Sequence, residues 1–253
     1  MSSTALTQWS VLGARALRLG RRNVEALIMS IALPVMLMIV FVYLFGGAIQ
    51  TGTEYVTYVV PGVMLLCVSF GSAMTAVAVA NDLKEGIVDR FRTLDVGGAA
   101  MLSGHVLASL VRNVVSSALV LAVALAIGFR PKAGAGQWLA AAGILVLTIA
   151  AVSWLSAALG LLAGSAEAAS GYTFAITFLP YASSAFVPID TMPSWLRGFA
   201  GNQPVTPITE SLRGLLLDQP VGHAPWRAVA WCAGLVIVAI VASAALFRVK
   251  TKS

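Results

Sequence analysis

Seven charged side chains, Asp82, Lys84, Glu85, Asp89, Arg90, Arg92 and Asp95, crowd into one stretch, NDLKEGIVDRFRTLDVGG (residues 81–98). The whole chain holds only 16 Lys and Arg and 10 Asp and Glu, so any polar chemistry is to be sought here first. Acid–base catalysis would need such groups set against an oriented partner. The two histidines, His105 and His223, stand far apart, and no HExxH or GxSxG string occurs. A phosphate-cradling loop needs a Gly directly before its Lys, whereas Lys84, Lys132, Lys250 and Lys252 follow Leu83, Pro131, Val249 and Thr251. Cys67 and Cys232 lie in apolar runs, where sulfur acts as a small hydrophobe rather than a metal ligand or half of a disulfide. The sequence therefore points to no catalytic residue and no metal site, and any nucleotide hydrolysis must come from another chain.

The charged block reads instead as a docking element. Asn81 or Asp82 would cap a helix N-terminus, with acidic Asp82 and Glu85 in the first turn. Ile87, Phe91 and Leu94 then recur at intervals of four and three, which puts one apolar stripe on an otherwise charged helix. The charges nearly balance, so an anchor for anionic lipid explains the block poorly. A protein-docking helix, a helix resting on the lipid surface and a solvated loop remain as readings.

The elements around the block are membrane elements. Hydrophobic residues make up 59% of the chain and charged ones 10%, against about 45–50% and about 25% in soluble domains. Six runs are long enough to approach the roughly 20 residues a spanning helix needs: 24–47, 58–80, 106–128, 138–163, 171–187 and 226–247. Pro34 would kink the first, and Pro61 would sit in the first turn of the second. Before them, residues 1–23 set Leu6, Trp9, Leu12, Ala16, Leu17 and Leu19 on one helical arc and Arg15, Arg18, Arg21 and Arg22 on the other. That pattern suits a helix lying in the headgroup plane. Lys and Arg number ten in the flanks on the N-terminal side of the membrane and five on the other, so both termini and residues 81–105 are expected in the cytoplasm.

The outer segment, residues 188–225, carries its own apolar pattern, with Trp195, Leu196 and Phe199 on one short helix and Leu212, Leu215 and Leu216 on another. It is expected to fold onto or back into the membrane as a helical cap. Within it Glu210 and Arg213 are spaced for an i,i+3 pair. Arg112 lies about two turns into the third span, where it would snorkel to the inner face and serve structure or a subunit contact, with direct substrate contact as the alternative. Phe174, Phe178, Tyr181 and Phe186 follow one another at intervals of four, three and five. Such a row is either packed and lipid-facing or the wall of a binding site for an apolar molecule.

LKEGIVDRFRTL, set between the second and third runs, resembles the first coupling loop of ABC-2 type permeases, the membrane subunits of ATP-driven exporters. The likeness is greatest to the daunorubicin-resistance-type drug-export branch and covers nearly the whole chain. Its landmarks, in order, are LPVML with Pro34, FGGAI from Phe45, YVTYVVPG ending at Gly62, EGIVDRFR from Glu85, AFVPIDTMPSWL from Ala185 and QPVTPITESLRGLL from Gln203. The sequence departs from the family pattern at Asp95, where Pro is frequent, and at His105 and Ser109, which replace a common Arg and Asp.

The resemblance implies an all-α integral membrane protein: an N-terminal interfacial helix, six spans, and re-entrant helices between the fifth and sixth. It implies a second permease copy or paralogue, two ATP-binding subunits that carry ATP and Mg2+, and a bacterial plasma membrane location. Glu85, Gly86 and Arg90, with Phe91 and Arg92 on the same segment, would then be the ATPase-coupling contacts. Glu167, in the GSAEAASG turn, is either a second such contact or a solvated acid capping the fifth span. Pro204, Thr206 and Arg213 would hold an outer gate, and the row from Phe174 to Phe186 would flank the path of a small amphipathic substrate. No cofactor on this chain and no nucleic-acid partner is expected. Export of a lipid-linked or polysaccharide precursor is the alternative within the architecture. An ion-coupled carrier is the alternative outside it, although that would place several ionisable groups deep in the spans.

Overall fold

A computed structural model of the protein describes residues 24–49, 51–85 and 98–250. The interfacial helix expected over residues 1–23 lies outside the described residues. Among the described residues eight α-helices follow one another: α1 (Val24–Val40), α2 (Tyr55–Lys84), α3 (Gly98–Ala126), α4 (Ala135–Leu162), α5 (Ala166–Phe178), α6 (Ser194–Asn202), α7 (Val205–Leu217) and α8 (Ala224–Lys250). A π-helical turn, Phe41–Phe45, prolongs α1, and 3₁₀ turns at Leu179–Ala182 and Ile189–Thr191 follow α5. No strand occurs among the described residues.

Among the described residues four helices are long and apolar enough to cross a membrane: Tyr55–Lys84, Met101–Ala126, Ala135–Leu162 and Ala224–Phe247. The first expected span is the shorter pairing of α1 with its π turn, with Pro34 inside the helix and buried. The fifth is shorter still. The 13 residues of α5 rise about 20 Å, less than the roughly 30 Å hydrocarbon layer. Pro180 follows in the 3₁₀ turn, and its missing N–H prevents α5 from running on.

α2 is the hub of the bundle and packs against α1, α3, α4, α5 and α7. In its most apolar 18-residue window 72% of residues are buried, against 17% for α8, so α2 is a core helix and α8 an outer one. Close approach depends on small residues, as in other helix pairs packed in lipid. A Cβ at Gly160 of α4 would run into the Ala76 carbonyl of α2 and lie 3.0 Å from the Ala76 Cα. Gly62 of α2 similarly admits Ala185, whose Cβ would stand 2.7 Å from an added one.

The chain ends of the bundle differ in character. At the Tyr55 end, α7 tucks between α2, α4 and α8 and buries Ile208, Leu212, Leu216 and Leu217. It stops at Asp218, whose φ of 55° is the left-handed cap geometry, and Gln137 holds the Asp218 carboxylate at 2.5 Å. At the Lys84 end, Val79, Leu102, Val106, Ala157 and Leu161 form a second core, with Leu83 and Phe247 packed on it.

The helices here run further than the hydropathy pattern indicates. α2 continues past Ala80 to Lys84, and α3 begins at Gly98 rather than Val106. Asn81 and Asp82 therefore lie in the last turns of α2 and do not cap a new helix, which corrects the expected N-cap. Packing of Val79 and Leu83 against α3 and α4 carries the helix through its polar residues.

Candidate functional site: groove, latch and charged end

Along the flank between α2 and α5 runs an open groove of about 410 Å³. Phe70, Ala73, Met74 and Val77 form the α2 wall, and Ser170, Thr173, Phe174, Thr177, Phe178 and Tyr181 form the other. The aromatic rings sit in series, Phe174 to Phe178 at 4.5 Å and Phe178 to Tyr181 at 5.5 Å between centroids. Phe174 and Phe178 are 60% and 52% exposed, so their faces are available to a ligand. The hydroxyls of Ser170, Thr173 and Thr177 each donate to the carbonyl four residues back, at 3.0–3.1 Å. That back-bonding satisfies the hydroxyls locally within α5 and leaves the wall uncharged.

Phe186 parts from the row. It is 4% exposed, stacks between Tyr181 (5.2 Å) and Phe41 (4.7 Å), and accepts the Tyr55 hydroxyl on its carbonyl at 3.0 Å. The helical spacing that aligns the first two aromatics ends with α5, and the 3₁₀ turn followed by extended Ser183 swings Phe186 toward the core.

A hydrogen-bonded latch ties the Tyr55 end together. Arg213 of α7 donates from Nη2 to the Ser184 carbonyl (2.8 Å) and from Nε to the Tyr58 carbonyl (3.1 Å), and its guanidinium lies 3.6 Å above the Tyr58 ring. The Tyr58 hydroxyl donates to the same Ser184 carbonyl at 3.0 Å. On its other side, the Ser184 N–H donates to Thr206 Oγ1 at 3.2 Å, and that hydroxyl donates to the Ala200 carbonyl at 2.6 Å. Thr206 and Arg213 thus hold the two peptide units that meet at Ser184, one through its N–H and the other through its carbonyl. Pro204 is the N-cap of α7 and lines an apolar space of about 110 Å³ with Leu65, Val68, Ile208 and Cys232. The expected Arg213–Glu210 pair is corrected: the hydrogen bonds of Arg213 go to carbonyls on α2 and the 183–186 turn, because α7 is packed against them rather than exposed.

A polar seam crosses the bundle between α2, α3 and α4. Arg112 lies eleven residues past Met101, about 16 Å along the helix, deeper than its sequence position indicates. Its Nη2 donates to the Gly71 carbonyl (2.8 Å), Thr75 Oγ1 (3.0 Å) and Ser109 Oγ (3.4 Å). Asn113 donates to the Ser109 carbonyl at 2.9 Å, and Ser153 donates to Ser109 Oγ at 2.9 Å. Protein oxygens therefore surround Nη2 of the guanidinium, the kind of partner a charge inside a membrane bundle needs. Ser109, Asn113, Ser116 and Ser117 recur at helical spacing on α3, a polar stripe that the sequence held and the hydropathy reading passed over.

At the Lys84 end, Glu85 is the exposed C-cap of α2, its N–H donating to the Asn81 carbonyl at 2.9 Å. Glu167 is exposed in the first turn of α5. The Ser165 hydroxyl and the residue's own backbone hydrogen-bond its carboxylate and hold it below the usual carboxylate range, with nearby Lys84 adding to the effect. The α4–α5 turn and the exit of α2 therefore share one surface. Gly86, Arg90, Phe91 and Arg92 lie outside the described residues. Sequence reasoning missed a bridge beneath this surface: His105 Nε2 lies 3.0 Å from Asp82 Oδ2, with both side chains 13% exposed.

Residues 7–217 match the family described as ABC-2 type transporter. The chain belongs to the ABC-2 type transporter family. Among its curated relatives is the daunorubicin resistance ABC transporter permease protein DrrB1 of Streptomyces coeruleorubidus, 32% identical over 188 residues. That match covers 74% of this chain and 66% of the relative. The probable doxorubicin resistance ABC transporter permease protein DrrC of Mycobacterium tuberculosis is 25% identical over 232 residues, 90% of this chain and 83% of the relative. This ABC-2 chain is thus homologous to drug-resistance permeases, and its apolar helices are those of a multi-pass membrane protein.

Proposed function

We propose that this chain is the permease subunit of an ATP-driven exporter that moves amphipathic drugs out across a bacterial plasma membrane. ATP and Mg2+ are bound by two separate ATP-binding subunits, and a second permease completes the assembly. Both termini and residues 85–97 face the cytoplasm, as the Lys and Arg distribution favours. The six-span count then takes α1 with its π turn, and α5 with its 3₁₀ turn, as the first and fifth spans. α6 and α7 form the re-entrant outer cap.

The observation that carries this reading is the α2–α5 groove. Its wall is aromatic, uncharged and 60% exposed at Phe174, and its volume of about 410 Å³ falls in the range of drug-sized sites. The groove stands on the helix whose far end, at Glu85, leads into the charged loop, so a movement of that loop is delivered to the groove wall. Arg213, Thr206 and Pro204 hold the outer cap shut until the bundle shifts, and Glu85, Gly86, Arg90, Phe91, Arg92 and Glu167 form the face a motor subunit grips. Two-state movement of this kind requires only that ATP and substrate favour different arrangements.

The test is purification in mild detergent followed by binding of doxorubicin, the drug in the name of the mycobacterial relative. An ATP-binding subunit is expected to co-purify in equal amount. Phe178→Ala is expected to weaken doxorubicin binding about tenfold, the loss of one well-packed aromatic contact. Absence of any ATP-binding partner from a well-folded preparation, or unchanged binding in both Phe174→Ala and Phe178→Ala, would overturn the reading.

A further inference from the structure

Asp82 is placed where a helix should not carry an acid. It lies in the last turn of α2, next to the negative end of the helix dipole, and its side chain is only 13% exposed. Its neighbours Lys84 and Glu85 are exposed and flank it on the same helix. What Asp82 meets is His105 of α3, at 3.0 Å. The two residues bracket the charged loop: Asp82 stands just before α2 ends, and His105 stands about two turns into α3.

We propose that the Asp82–His105 pair is a strut that makes the two helix ends move as one body when the loop between them is displaced. The inference rests on the reading of residues 85–97 as the motor-binding loop. A force applied to a loop between two independent helix ends is lost in bending at whichever end yields. A hydrogen-bonded bridge set behind both ends removes that freedom. Beneath it, Val79 and Leu83 of α2 and Leu102 and Val106 of α3 pack with Ala157 and Leu161 of α4, so a shift of the bridged pair reaches α4 as well. The exposed carboxylate of Glu167, within the field of Lys84, places the start of α5 beside the same junction. α5 bears one wall of the groove and α2 the other, so the strut links the loop to both walls. Its residues touch neither groove nor motor face; they are positioning residues.

The experiment uses the full exporter, permease with ATP-binding subunit, in proteoliposomes, and reads doxorubicin moved per ATP hydrolysed. Asp82→Ala and His105→Phe are expected to lower that ratio about fivefold, the population shift set by one hydrogen bond. ATP-subunit association and doxorubicin binding in the groove should stay at wild-type level. Asp82→Asn, which keeps a hydrogen bond to the ring, and the exchange Asp82→His with His105→Asp are expected to restore the ratio. A merely structural role would change protein levels and leave the ratio alone. Unchanged ratios in both single variants would overturn the strut, as would failure of the exchange to restore the ratio in correctly inserted protein. Should Asp82→Ala not accumulate in membranes, Asp82→Asn and the exchange decide. A wild-type complex lacking an ATP-binding subunit would overturn the functional reading and this inference together, whereas a lowered ratio in the strut variants alongside unchanged doxorubicin binding in Phe174→Ala and Phe178→Ala would overturn only the assignment of the groove.

Discussion

Replacing Arg213 should open the outer cap, and the structure sets the size of the effect. The guanidinium makes two charged hydrogen bonds, 2.8 Å to the Ser184 carbonyl and 3.1 Å to the Tyr58 carbonyl, and stacks 3.6 Å over the Tyr58 ring. Hydrogen bonds from a charged donor contribute about 1.5–3 kcal/mol each, and the ring contact about 0.5–2 kcal/mol. Arg213→Ala forfeits all three, but the Ser184 carbonyl keeps the Tyr58 hydroxyl at 3.0 Å, and water will reach the Tyr58 carbonyl. A net loss of about 3 kcal/mol follows, which multiplies the open population about 100-fold. Hydrogen–deuterium exchange reads this directly, because the Ser184 amide donates to Thr206 and reports opening at the same residue whose carbonyl Arg213 holds. Peptides covering residues 182–187 and 205–213 should exchange about 100-fold faster. Arg213→Lys keeps the charge but cannot fork to two carbonyls and cover the ring, so about tenfold is expected. Glu210→Gln should change exchange by less than about twofold, since the hydrogen bonds of Arg213 go to the Tyr58 and Ser184 carbonyls and a charge at i,i+3 spacing adds only tenths of a kcal/mol. Equal effects of Glu210→Gln and Arg213→Ala, or unchanged exchange in a normally inserted Arg213→Ala protein, would refute the latch.

Gly160→Leu forces a side chain into the Ala76 backbone across the α2–α4 contact, so overpacking should cost about 1–3 kcal/mol. Thermal unfolding in detergent should show a lower midpoint, and an unchanged one would contradict the close approach. Glu167 titrates below the usual carboxylate range because the Ser165 hydroxyl hydrogen-bonds it. Since its folded pKa is depressed, its stabilisation is present above the unfolded pKa and is lost as pH falls through the folded value. The stability gap between wild type and Glu167→Gln should therefore be flat from pH 5 to 8 and close only below about pH 4, as followed by unfolding midpoints across pH. A gap that closed near neutrality would count against the Ser165 contact.

Much of the frame was legible in the residue string. Apolar runs of spanning length mark α2, α3, α4 and α8, because helix and lipid impose a length that any sequence reading can measure. The spacing of Phe174 and Phe178 indicated that their rings lie side by side, because one helix carries both and helical period alone sets them there. The same logic failed at Phe186, one irregular turn later, where the period no longer applied.

Contacts between helices were not legible. Asp82 looked like the start of a charged helix because its partner, His105, is 23 positions away and meets it only when α2 and α3 pack. Arg213 looked exposed because Glu210 was near in sequence, whereas Tyr58 lies 155 positions away and Ser184 29. Arg112 looked like a charge escaping to the membrane surface until Gly71 and Thr75 of α2 supplied its acceptors. Periodicity and hydropathy are properties of a single helix and follow from the order of its residues. Which polar groups satisfy one another depends on how helices cross, and that is decided by small residues such as Gly160 and Gly62, which let backbones approach closely enough for a partner to be reached.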